Sequence, residues 1–109
     1  LNCVELSGRL IERKCLRYTP AGIPVTEGVL QHASQQIEAD AERQVNCEIP
    51  LIGLGKAAQW LQATPVGGSV KVAGFLSAKS RNSRSLVLHV NTIEFLEGTE
   101  NGSILQEEG

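Results

Sequence analysis

Five short stretches of alternating apolar and polar residues, with one helical stretch between the third and the fourth, constrain this chain more than any other feature. Val4, Leu6, Gly8 and Leu10 alternate with Glu5, Ser7, Arg9 and Ile11, a period-two strand with one mostly polar face. Thr19-Pro20-Ala21-Gly22-Ile23-Pro24 reads as a turn, because Pro20 presets its φ and Gly22 takes positive φ without steric cost. A second strand runs from about Val25 to Ser34, and the polar, acid-bearing segment Gln35 to Glu42 reads as an exposed loop. Val45, Cys47, Ile49 and Leu51 alternate with Asn46 and Glu48 as a third strand. Pro50 has no N–H to give to a ladder, which predicts an edge or a bulge there. Leu54, Ala57, Ala58 and Leu61 recur at helical spacing for about two turns, ended by Pro65-Val66-Gly67-Gly68. Val70, Val72, Gly74 and Leu76 make the apolar face of a fourth strand; Leu86, Leu88 and Val90 make that of a fifth. Near Asn91 the parity shifts, so that Ile93 and Phe95 take over the inward face, and such a shift predicts a β-bulge.

The order β-β-β-α-β-β predicts an all-β fold: a five-stranded OB-fold barrel with one short helix between strands three and four. Barrels of this kind bind oligonucleotides or oligosaccharides, but the fold alone does not decide which, if either. At 109 residues the chain is one domain. The barrel is expected over residues 1–97. Residues 98–109, rich in Gly, Asn and Glu, read as a flexible acidic tail.

Charge follows the same division. The net charge is −2, yet five of the twelve acids fall in the last sixteen residues. Residues 1–93 carry ten basic and seven acidic side chains, a net of +3. The body is mildly basic and the tail acidic.

Several classes of chemistry find no support. No Gly-rich phosphate loop opens a helix, and the single Asp, Asp40, sits in the acidic segment with Glu38, where solvation is the simpler reading. Cys3, Cys15 and Cys47 are odd in number and lack CxxC spacing, and His32 and His89 add no metal-ligand pattern. The cysteines read as small apolar side chains in strands. No apolar run approaches the roughly 20 residues that span a bilayer, and no signal-peptide pattern opens the chain. The chain is read as a non-enzyme without cofactor or metal, in a reducing cytoplasm.

Binding is better supported. Arg9, Arg13, Lys14 and Arg17 lie on the first strand and the bend after it, and Lys79, Arg81 and Arg84 lie in the acid-free connection between strands four and five. These two connections flank the oligonucleotide-binding face of an OB-fold. Cations there form a groove for the phosphates of a single strand. Aromatic platforms are sparse: Phe95 is expected in the core, Trp60 at its edge, and Phe75 pointing away from it. Tyr18, beside the basic cluster, is the stacking candidate. The full set of candidate nucleic-acid-binding residues is Arg13, Lys14, Arg17, Tyr18, Arg43, Lys79, Arg81 and Arg84.

Leu6-Ser7-Gly8-Arg9-Leu10, the run Leu16-Arg17-Tyr18-Thr19-Pro20-Ala21-Gly22-Ile23-Pro24-Val25, and Gly68-Ser69-Val70-Lys71-Val72-Ala73-Gly74-Phe75-Leu76 resemble the bacterial single-stranded DNA-binding protein family, nearly to Leu96. Val29-Leu30-Gln31-His32-Ala33-Ser34, Asn46-Cys47-Glu48-Ile49-Pro50-Leu51-Ile52 and Leu86-Val87-Leu88-His89-Val90 resemble more closely a shortened branch, the primosomal replication protein N (PriB) family. Gln106-Glu107-Glu108-Gly109 does not resemble the acidic-hydrophobic tip that ends the long tail of the parent family. The resemblance implies a homodimeric replication-restart accessory that binds single-stranded DNA and the PriA helicase and stimulates unwinding. It also implies a hand-over to a helicase-loading factor of the primosome, so that the replicative helicase is reloaded at stalled forks. It carries DNA contact to Arg17, Lys79, Arg81 and Arg84. Asn46 and Ala41 stand where some relatives carry an aromatic, and Ala33 where some carry a basic residue, which predicts looser DNA binding and more weight on protein contacts. The alternatives are a general single-strand protector and an OB-fold interaction adapter with little DNA binding.

Overall fold

In the computed structural model, residues 1–96 are described. Seven elements follow one another: β1 (Val4–Arg13), β2 (Arg17–Tyr18), β3 (Pro24–Glu38), β4 (Ala41–Leu54), α1 (Lys56–Ala63), β5 (Ser69–Ala78) and β6 (Leu86–Phe95). Five of the strands close into a ring in the order β1-β5-β6-β4-β3, with β3 returning to β1. Every pairing is antiparallel except β4 with β6, where Leu51 faces Leu88. This is the OB-fold barrel, and the two-residue β2 adds to the edge of β3 outside the ring.

β1 serves two neighbours because it bends. Val4 to Arg9 pair with β5, and Arg9 to Arg13 pair with β3 across an irregularity between Leu10 and Glu12. Ile11 is the extra residue there, and a bulge of this kind turns a strand at a barrel corner. The second irregularity lies where the parity shift placed it. Ala73 faces Thr92 but Gly74 faces Val90, which leaves Asn91 unmatched on β6. Gly74 permits the close approach: a Cβ there would fall 1.7 Å from the carbonyl oxygen of His89.

The alternating residues fill the barrel. Leu10, Leu30, Leu51, Val70, Val72, Leu88 and Val90 form one buried cluster with Leu61 of the helix. Leu61, Ala57 and Ala58 are the buried stripe of α1, which packs against β3, β4 and β6. Thr26 is wholly buried and donates its hydroxyl to the carbonyl of Ala58 at 2.9 Å, tying β3 to the helix without an unpaired polar atom. Pro50 lies one residue before β4 begins to pair with β6, where the strand's outer side has no neighbour, so its missing N–H costs no ladder bond.

Five expectations need correction. Leu54 does not open the helical stripe: it ends β4 and is exposed. Residues 35–42 are not a loop. β3 and β4 continue through them as a two-stranded arm, from Gln31 opposite Glu48 to Glu38 opposite Ala41. Ala39 and Asp40 join the strands, both at positive φ (52° and 66°), the backbone that a tight two-residue hairpin requires. Phe95 is not core: it stands 40% exposed at the end of β6, where it lines an open pocket with Pro65 and Leu96. Leu86 is also exposed, while the neighbouring Val87 is buried outside the core cluster and lines a cleft with His89. All three cysteines are exposed, and only Cys47 belongs to a strand. The acidic tail expected over residues 98–109 lies outside the described residues. No helix among those described is long and apolar enough to cross a membrane.

Candidate nucleic-acid interface

The cleft begins with the chain leaving β1. Lys14 donates its backbone N–H to the carbonyl of Glu27 at 2.9 Å, and β2 then lies along β3 with Arg17 opposite Val25 and Tyr18 opposite Pro24. The connection returns through a tight turn. Thr19 accepts from the N–H of Gly22 at 2.8 Å, and Gly22 takes the positive φ of 85° expected of it. On the other side, the connection between β5 and β6 is pinched at its neck, where the N–H of Lys79 donates to the carbonyl of Ser85 at 2.8 Å. A turn within it has Ser83 donating to the carbonyl of Ser80 at 3.1 Å.

Between the two connections lies a cleft of about 620 Å³, floored by Gly28, Val29, Pro50, Leu51 and Ile52. Lys14, Arg17 and Lys79 converge on it from opposite rims. His89 lines it too, and stacks on Phe75 with ring centroids 4.9 Å apart and planes 9° from parallel. The two residues are cross-strand partners on β5 and β6. Phe75 remains 38% exposed, so the aromatic stack that borders the cleft is partly open to solvent.

Glu27 sits among the cations. Arg17 Nη2 donates to its Oε2 at 2.5 Å, and Lys14 Nζ lies 3.7 Å from Oε1. The hydrogen bond from Arg17 holds the Glu27 carboxyl below its ordinary value of 4.5, against the opposing effect of desolvation, with further lowering from the charges of Lys14, Arg17 and Lys79. Glu12 is a second carboxylate on the cleft wall. Three cations therefore face two anions, and the cleft is only slightly positive.

The remaining candidates are dispersed. Arg13 turns its guanidinium away from the cleft and donates from Nη1 to the carbonyl of Thr64 at the end of α1. Arg43 pairs with Glu38 at 3.2 Å on the arm. Tyr18 is 65% exposed on β2 but does not line the cleft, as expected where successive residues of a strand point to opposite sides. Arg81 and Arg84 are exposed in the β5–β6 connection and make no ion pair among the described residues. Glu27 and His89 line the cleft and Phe75 stacks beside it, and none of the three is a sequence candidate. Phe75 was expected to point away from the core, and its parity with Lys71 and Ala73 carries that signal. The other two depend on strand register. No group of three or more His, Cys, Asp or Glu side chains among the described residues is placed to hold a metal ion.

Comparison with known proteins gives a consistent picture. A family model described as another single-strand binding protein family matches residues 2–92. The chain is 36% identical over 99 residues to replication restart protein PriB of Bordetella pertussis, covering 91% of this chain and 92% of that one. It is 44% identical over 98 residues to the PriB of Photobacterium profundum, covering 87% and 94%. Among solved structures, PriB from Ralstonia solanacearum is similar with a TM-score of 0.78 at 36% identity, covering 87% of this chain and 98% of that chain. The wild-type single-stranded DNA-binding protein from Thermus aquaticus is similar with a TM-score of 0.69 at 28% identity, covering 90% of this chain and 51% of that chain.

Proposed function

The chain belongs to the single-strand binding protein family, in its PriB branch of replication restart proteins, and from that premise we propose that it binds single-stranded DNA across the cleft between β2 and the β5–β6 connection. The observation that carries this reading is the convergence of Lys14, Arg17 and Lys79 on one cleft bordered by the Phe75–His89 stack. Phosphates engage the cations on both rims, and Arg81 and Arg84 extend the basic track along the acid-free β5–β6 connection, residues 79–85. A base stacks on the exposed part of Phe75, a contact worth about 1–3 kcal/mol in single-strand binders.

As a restart accessory, the protein acts as a homodimer beside the PriA helicase, stimulates unwinding, and passes the fork to a helicase-loading factor. These partner steps rest on family membership. A second reading, an interaction adapter with weak DNA binding, draws support from Glu12 and Glu27 on the cleft wall and from Asn46 and Ala41 in place of aromatics. Fluorescence anisotropy with a labelled single strand and a duplex of equal length separates the two. The proposed function predicts salt-sensitive binding that favours the single strand. Absence of binding at low salt, with retained helicase stimulation, would favour the adapter.

A further inference from the structure

Glu27 stands where an anion is least expected in a cleft that takes phosphate. Its carboxylate occupies the Nη2 donor of Arg17 at 2.5 Å and lies 3.7 Å from the ammonium of Lys14. Both are cations that a strand's phosphate would need. We propose that Glu27 is a built-in counter-ion that phosphate must displace, so that it sets the DNA affinity of the cleft low and keeps the bound strand exchangeable. This inference rests on the proposed binding of single-stranded DNA.

Two effects of the carboxylate oppose each other. It orders Arg17 and Lys14 before DNA arrives, and it repels the phosphate that comes. The ordering effect is small. The side chains of Lys14 and Arg17 are 75% and 57% exposed, and ion pairs between exposed groups contribute little. The repulsion acts at the contact itself. Arg17 cannot present its full fork to a phosphate while one arm of it is held by a carboxylate. Glu27 is also anchored on β3, with its side chain only 31% exposed, so its carboxylate stays near the incoming phosphate even when displaced from Arg17. Repulsion wins, and removing the charge tightens binding.

Glu27→Gln tests this, because the amide oxygen can still accept from Arg17 while the charge is gone. Binding of a labelled oligo-dT is followed by anisotropy at about 50 and about 200 mM salt for the wild type, E27Q, K14Q/R17Q, and E27Q combined with K14Q and R17Q. E27A, which also removes the hydrogen bond, is the second variant, and thermal melts establish that each protein is folded. The expected result is a gain of roughly threefold to tenfold for E27Q at low salt, shrinking at high salt. E27A should gain in the same direction. The gain should shrink, relative to K14Q/R17Q, once both cations are gone and only direct repulsion is relieved. Wild-type binding that E27Q leaves equal or weakens would overturn the proposal and leave DNA binding intact. A gain that persists undiminished without Lys14 and Arg17 would also overturn it. If no form binds, the DNA-binding reading itself falls, and this inference with it.

Discussion

β3 and β4 belong to two different regions of the molecule along a single hairpin. In the barrel, Val25, Thr26, Gly28 and Leu30 of β3 are buried and their neighbours Glu27 and Val29 face the cleft. Beyond Leu30 the same strands run on as an arm, where Gln31 to Glu38 and Ala41 to Glu48 are almost wholly exposed. The ladder is continuous across both. What differs is the presence of a buried face, and that difference decides where the residues carry stability and where they are free for contact.

The largest expected contrast is between Leu30 and Ile37. Leu30→Ala removes a fully buried side chain from the central cluster and should cost about 2–5 kcal/mol. Ile37, 70% exposed on the arm, should tolerate the same change within about 0.5 kcal/mol. Denaturant unfolding of the two variants measures both, and equal losses would mean that the arm is folded into something the barrel analogy misses. Next comes the bulge. Gly74→Ala would press a Cβ into the carbonyl of His89 and should cost about 1–3 kcal/mol, with loss of the Phe75–His89 stack visible in aromatic side-chain resonances. An unchanged melting temperature would show that the β5–β6 register can relax freely.

The smallest effect concerns Glu27 and pH. Its carboxyl is held below the ordinary 4.5 chiefly by the Arg17 hydrogen bond. A group whose pKa is depressed on folding stabilises the fold above the ordinary carboxylate range, and that contribution is lost as pH falls through the depressed value. The stability difference between wild type and E27Q should therefore be present at neutral pH and narrow progressively below about pH 4.5. Taking the difference between the two proteins cancels Glu12 and His89, which line the same cleft. Parallel melting curves down to strong acid would deny the ion pair any role in the folded state.

The contrast between barrel and arm also explains what could be read from the residues alone. Wherever one face is buried, alternation announces the strand, and the parity shift near Asn91 marks the bulge that the register shows. The outer part of the arm has two exposed faces, so residues 35–42 carry no alternation and look like a polar loop. Ala39 gives no turn signal either, since positive φ is unusual for it. In the cleft, Lys14, Arg17 and Lys79 were legible because the fold places their two connections side by side. The approach of Arg17 to Glu27 was not, because it depends on how β2 registers against β3. Arg13 and Thr64 are far apart in sequence, and only the packing of α1 brings the guanidinium to that carbonyl.

The most direct test removes the three converging charges together. Anisotropy titrations of labelled oligo-dT across a salt series compare the wild type with K14Q/R17Q/K79Q. The account predicts that the variant binds markedly more weakly at low salt and that its slope of log affinity against log salt is shallower by about two to three phosphate equivalents. A variant whose affinity and slope match the wild type would contradict the account and place the DNA elsewhere on the barrel.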